Sequence, residues 1–206
     1  MIVIYTDDLS IHTCITKGIV QKAINKLPKF LSNILMKFRV RVYVTDVFKM
    51  TGIHGLGCYY FNKAKYGEEV AILIDKKTYS NARYVFYHEV GHFLDDLLGC
   101  YKEKVSFTKK NRSMYRFSKT NEYFHNLNLF ENDFFTQIKR SNQKNEIFYE
   151  DMRESFAESF AEIMTGKRSF KMKRIKDFIV SELKDNFSQF DDESSCNILC
   201  NMLQYS

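Results

Sequence analysis

Residues 85–98 read Val-Phe-Tyr-His-Glu-Val-Gly-His-Phe-Leu-Asp-Asp-Leu-Leu. Phe86, Val90, Phe93, Leu94 and Leu97 recur at helical spacing and form an apolar stripe. A helix with such a stripe is buried, and its two histidines are then buried polar groups that need partners. The chain must therefore build a core around this segment, and it has the material: 45% of its 206 residues are hydrophobic, including 19 Phe and 13 Tyr. That much apolar surface argues against disorder, and one Pro and 8 Gly exclude collagen-like and Pro/Gly-rich classes. The length suits a single domain over residues 1–206. No apolar run approaches the roughly 20 residues of a membrane span.

His88-Glu-Val-Gly-His92 lies inside this helix. Histidines four apart stand about 6 Å apart on one face, so both imidazoles can converge on one ion at about 2.0–2.1 Å. Glu89 is rotated to a neighbouring face, from which its carboxylate can reach a metal-bound water. The pattern is that of a zinc hydrolase. A catalytic zinc usually takes three protein ligands and leaves one position open. Position 98, where a third His could follow, is Leu, so a downstream carboxylate is expected. Glu154, Glu158 and Glu162 recur every four residues in Glu-Ser-Phe-Ala-Glu-Ser-Phe-Ala-Glu, forming one helical stripe, with Phe156, Phe160, Ile163 and Met164 on the packing side. Small Ser155, Ala157, Ser159 and Ala161 allow close approach to another helix.

The rest of the chain reads as a short strand over residues 2–5, an amphipathic helix over 11–37 that Pro28 kinks or splits, and a strand over 40–44. Strands near 58–61 and 69–75 follow a loop carrying Gly55 and Gly57, with a turn at Tyr66 between them. The histidine helix runs from about 79–82 to Leu98, with Gly99 as its expected cap. An aromatic helical piece over 123–138, a helix over 149–165 ending at Gly166, and helices over 170–186 and 193–203 complete the chain. The fold class is α+β, with a small N-terminal mixed sheet and two long helices in a lobe over 1–99 and a mainly helical lobe over 145–206.

His88-Glu-Val-Gly-His-Phe-Leu-Asp-Asp96 followed by Glu154-Ser-Phe-Ala-Glu-Ser-Phe160 resembles the catalytic domain of anthrax lethal factor and its relatives, the Pro-Pro endopeptidases. These gluzincin metalloproteases carry HE-x-GH-x-x-D and then E-x-F-A-E-x-F. The resemblance implies a zincin-like fold and a zinc endopeptidase with one zinc ion per chain. His88, His92 and Glu154 would be its ligands, Glu89 its general base and Glu158 an outer-shell carboxylate. Asp95 and Asp96 join Glu158 as candidates to orient the ligand imidazoles. The family places an oxyanion-stabilising tyrosine seven residues before the third ligand. Position 147 is Ile here, and Tyr149 is the nearest candidate. In zincin-like folds a sheet edge holds the substrate as an added strand. The strand over 69–75 is the expected edge, with Val70, Ala71, Ile72 and Leu73 as substrate contacts. The interval from His92 to Glu154 is longer than in those relatives, so residues 101–144 read as an insertion.

That insertion holds ten Lys/Arg (102, 104, 109, 110, 112, 116, 119, 139, 140 and 144) against four acids, and so carries the whole net charge of +6. Its expected task is to recognise or steer a protein or peptide substrate, with nucleic acid a minor alternative. Cys14, Cys58, Cys100, Cys196 and Cys200 show no disulfide-scaffold pattern, and the N-terminus lacks a basic leader. The expectation is a monomeric protein that is cytoplasmic or delivered without a signal peptide. His12, His54 and His125 lack partners at ligand spacing. Two other readings stay open: a regulator-cleaving HExxH peptidase of the phage type, and a non-catalytic effector that binds through the basic segment.

Overall fold

A computed structural model of the chain describes residues 2–64, 67–120, 122–123, 145–166 and 170–187. The expected pieces over 124–138 and 193–203, with His125, Cys196 and Cys200, lie outside them, as does the Tyr66 turn. Four strands, β1 (Ile4–Thr6), β2 (Arg41–Thr45), β3 (Gly57–Ala64) and β4 (Gly67–Asp75), form one mixed sheet in the order β1-β2-β4-β3. The first three are parallel; β3 returns antiparallel along β4. The architecture is α+β.

Strand alternation divides β4 between two faces. Val70, Ile72 and Ile74 join the main core, while Ala71 and Leu73 pack with Val47 in a smaller cluster on the other side. The main face is covered by α1 (Ile11–Asn25), α2 (Lys29–Lys37) and α4 (Ala82–Lys102); short α3 (Val47–Thr51) supplies Val47 to the other. Pro28 divides α1 from α2, since it has no N–H to continue the first helix, and it stands at the N-cap of the second. Tyr87 of α4 ties the layers together by donating to the Ala23 carbonyl of α1 at 3.0 Å.

Residues 89–100 of α4 are buried without interruption. The helix runs past the expected stop at Gly99. A Cβ at that position would overlap the Tyr115 carbonyl oxygen, so the glycine admits a crossing chain rather than capping the helix. That chain comprises α5 (Lys109–Met114) and a 3-10 turn (Phe117–Lys119). It is followed by α6 (Asn145–Thr165) and α7 (Phe170–Phe187). Gly166, at φ +74°, ends α6 in the left-handed conformation that glycine tolerates best. Among the described residues no helix is long and apolar enough to cross a membrane.

Candidate metal centre and catalytic cleft

Two helices build the site. Phe156, Ala157, Phe160 and Ala161 of α6 are buried against the rest of the fold, and Ala157 meets Gly91 of α4. This contact between small residues brings the histidine face of one helix onto the glutamate face of the other.

His88 Nε2 lies 3.2 Å from one Glu154 oxygen, and His92 Nε2 lies 3.3 Å from the other. One ligand atom from each of the three residues falls within 4.8 Å of the others, the only such group of three among the described residues. Donors arranged tetrahedrally around one zinc at its usual bond lengths stand about 3.4 Å apart. The nitrogen and oxygen donors thus have the spacing and the chemistry to hold such an ion. Burial opposes a charge on Glu154, but the two histidines outweigh it and hold its carboxyl well below the ordinary range. Burial, helped by the charges of Arg153 and His88, pushes His92 down to about 4 against the pull of Glu154. Burial also opposes a charge on His88, yet Glu154, Glu89 and Glu158 together raise its pKa.

Glu89 is 6% exposed, and burial pushes its carboxyl up to about 7 against the opposing effects of His88, the Tyr59 backbone N–H and Arg153. The hydrogen bond from Tyr59 attaches the Glu89 carboxylate to β3. Gly57 opens that strand, and a Cβ there would stand 2.8 Å from Glu89 Oε1 and 2.5 Å from a Val85 methyl. Only glycine lets the strand approach Glu89 so closely. An acid with a pKa near neutrality beside a candidate metal site is suited to accepting and returning a proton. These groups line a cleft of about 1080 Å³, together with Ile53, Leu56, Cys58, Tyr84, Arg153 and Glu158.

Other residues singled out from the sequence have different places. The strand expected as the substrate edge is interior: Val70 and Ala71 pair with β3, and Ala71, Ile72 and Leu73 pair with β2. Ala71, Ile72 and Leu73 are therefore paired on both sides and Val70 is paired to β3, so the expected edge lies inside the sheet and the edge beside the cleft is β3. Asp95 accepts hydrogen bonds from Ser118 N (2.6 Å) and Oγ (2.7 Å). Asp96 accepts from Arg116 Nε at 3.0 Å and from Arg112 at 3.4 Å. The two acids brace the segment that crosses α4 instead of orienting the imidazoles. Glu158 is exposed at the cleft rim, and neither histidine Nδ1 has a hydrogen-bond partner among the described residues. Tyr149 falls within α6, but its side chain is outside those described. His12 stacks on Tyr79 and His54 on Phe48. Cys14, Cys58 and Cys100 are free thiols.

The basic segment is partly engaged inside the molecule. Lys102 reaches Glu122 and Glu182, both at 2.6 Å, while Arg112 and Arg116 converge on Asp96. Among the described residues, Lys102, Arg112 and Arg116 are thus paired with acids of the chain itself. The sequence reading passed over Arg153 and Tyr84, both in the cleft; the position of Arg153 beside Glu154 was the available signal. No protein-family model and no curated protein matches the chain.

Proposed function

We propose that the chain is a zinc-dependent endopeptidase with a zincin-like fold, of the gluzincin type its two motifs resemble. The observation that carries this reading is the convergence of His88, His92 and Glu154 within 4.8 Å, with buried Glu89 beside them at the head of an open cleft. A zinc ion held by these three residues supplies Lewis-acid polarisation of a peptide carbonyl and lowers the pKa of a water toward about 7.

The protein's own groups do the rest. Glu89, held by the Tyr59 N–H, takes a proton from the attacking water at its carboxylate and returns it to the nitrogen of the leaving amine. The substrate lies as an added strand along β3, whose outer edge has no strand partner among the described residues. A binding module that grips an acidic partner through the basic segment is less well supported, because Lys102, Arg112 and Arg116 are already paired.

The deciding experiment compares wild type with Glu89→Gln on a peptide library, with a chelator control and metal analysis. The variant is expected to retain about one zinc per chain and to lose cleavage. Loss of zinc together with cleavage would make Glu89 structural, and a wild type that cuts nothing would remove the endopeptidase reading.

A further inference from the structure

Large apolar side chains left at the surface are ordinary when they stand alone. Residues 48–56 hold four of them, Phe48, Met50, Ile53 and Leu56, on α3 and its connection to β3. Ile53 and Leu56 are each 55% exposed, and both line the cleft that holds His88, Glu89 and His92. The connection is built rather than slack. Val47 anchors α3 against Ala71 and Leu73 of β4. The Thr51 hydroxyl donates to the Val47 carbonyl at 2.8 Å and accepts the Ile53 N–H at 3.1 Å. Gly52 turns the chain at φ +73°, its N–H donating to the Phe48 carbonyl at 2.8 Å. His54 stacks on Phe48 with ring centroids 4.1 Å apart. The Leu56 carbonyl accepts the N–H of Asp75, the last residue of β4, at 2.8 Å. The backbone is thus fixed around two side chains that the core of the protein does not take up. The next residue, Gly57, is the point at which β3 meets the Glu89 carboxylate.

We propose that Ile53 and Leu56 form an apolar rim that selects an aliphatic or aromatic side chain of the peptide, one or two residues from the bond that is cut. This rests on the endopeptidase reading and names the substrates its cleft accepts. A peptide paired along the β3 edge brings the residue opposite Gly57 close to Glu89, and successive strand residues rise only about 3.3 Å. Leu56 is therefore within reach of the residue beside the cut or of the one after it. Docking an apolar side chain there removes methyl groups of both partners from water. Because the hydrogen bonds of the loop already hold the rim in place, little ordering entropy opposes the contact. A polar side chain at that position would lose water and find no hydrogen-bonding side chain on Ile53 or Leu56.

The test uses the full chain loaded with zinc and a peptide library, and reads which residues flank the cut. Wild type should enrich Leu, Ile, Val or Phe at a position one or two residues from the bond. A selected peptide and its Ser analogue at that position are then compared on wild type, Ile53→Ser/Leu56→Ser and Ile53→Leu/Leu56→Met. Loss of apolar contact in such a site costs about 10-fold or more in discrimination. The ratio of kcat/KM for the selected peptide over its Ser analogue should fall by that factor in the serine pair and be largely kept in the conservative pair. In a Glu89→Gln background, the serine pair should weaken binding of the selected peptide by a similar factor, read by fluorescence anisotropy without cleavage. A ratio unchanged in the serine pair, or loss of zinc or a large fall in Tm there, overturns the proposal. If wild type leaves the library intact, the endopeptidase reading fails and takes this proposal with it; cleavage with no apolar preference near the cut overturns this proposal alone.

Discussion

Gly91 of α4 meets the backbone of α6 at Ala157: a Cβ on the glycine would stand 2.8 Å from the Ala157 Cα and 3.2 Å from its carbonyl oxygen. The neighbouring atoms are backbone and cannot swing aside as a side chain would. Gly91→Ala should therefore push the two helices apart, costing about 1–3 kcal/mol, the usual range for overpacking. Because the shift separates His88 and His92 from Glu154, zinc affinity should fall with stability. Urea denaturation and a competitive zinc titration read the two effects, and a variant that binds zinc normally would show that the contact does not set the ligand spacing.

Glu154 and Glu158 are one turn apart on the same helix, yet only Glu154 reaches both imidazoles. Glu154→Ala is expected to weaken zinc binding by more than about 100-fold, whereas Glu158→Ala, which removes an exposed carboxylate bonded to neither imidazole, should stay below the roughly 10-fold at which the loss of an orienting partner begins. Isothermal titration with zinc would check the order, and the reverse ranking would move the ligand role to Glu158.

Arg116 and Arg112 both converge on Asp96, whose side chain is fully buried. Removing one partner of a buried ion pair costs about 3–5 kcal/mol. Arg116→Ala should fall at the low end because Arg112 remains. The loss would appear in denaturant melts, with zinc affinity of the folded protein preserved. A variant of nearly normal stability that has lost zinc would instead link Asp96 to the metal site.

Burial, aided by the charge of Asp96, raises the pKa of Asp95 from its ordinary 3.8 to about 7, against the hydrogen bonds from Ser118. Between those values the folded state binds more protons than the unfolded state, so this group's contribution to stability declines as pH rises from about 4 to 7. Asp95→Asn keeps a comparable shape and removes the titration. The stability of the variant minus that of wild type should increase across this window and level off above pH 7. A difference that stays flat with pH would mean that Asp95 is ionised throughout.

Much of this arrangement was legible from residue spacing. Histidines four apart on an apolar stripe, and glutamates four apart opposite small residues, each specify one face of a helix, and a metal-binding group is a natural reason for both. Pro28 was readable as a break because its chemistry is local. Strand order was not: the apolar run of β4 marks a buried strand, but alternation says nothing about which neighbour lies outside it, and β3 takes the edge. Gly99 looked like a cap because a helix end and a close crossing leave the same residue in the sequence. Asp95 and Asp96 were placed near the histidines by proximity along the chain, while Ser118, Arg112 and Arg116 decided where they point. Arg153 escaped notice because a charged residue beside a ligand resembles ordinary helix surface until the packing stripe is fixed.

The near contact of Gly57 with Glu89 divides β3 into two parts for anyone wishing to redesign it. Its first residue is committed to the Glu89 carboxylate and leaves no room for a side chain. Tyr60, further along the same strand, is exposed. Tyr60 shares its sheet face with Ala71, away from Glu89, so side-chain diversity can be introduced there without displacing the buried carboxylate.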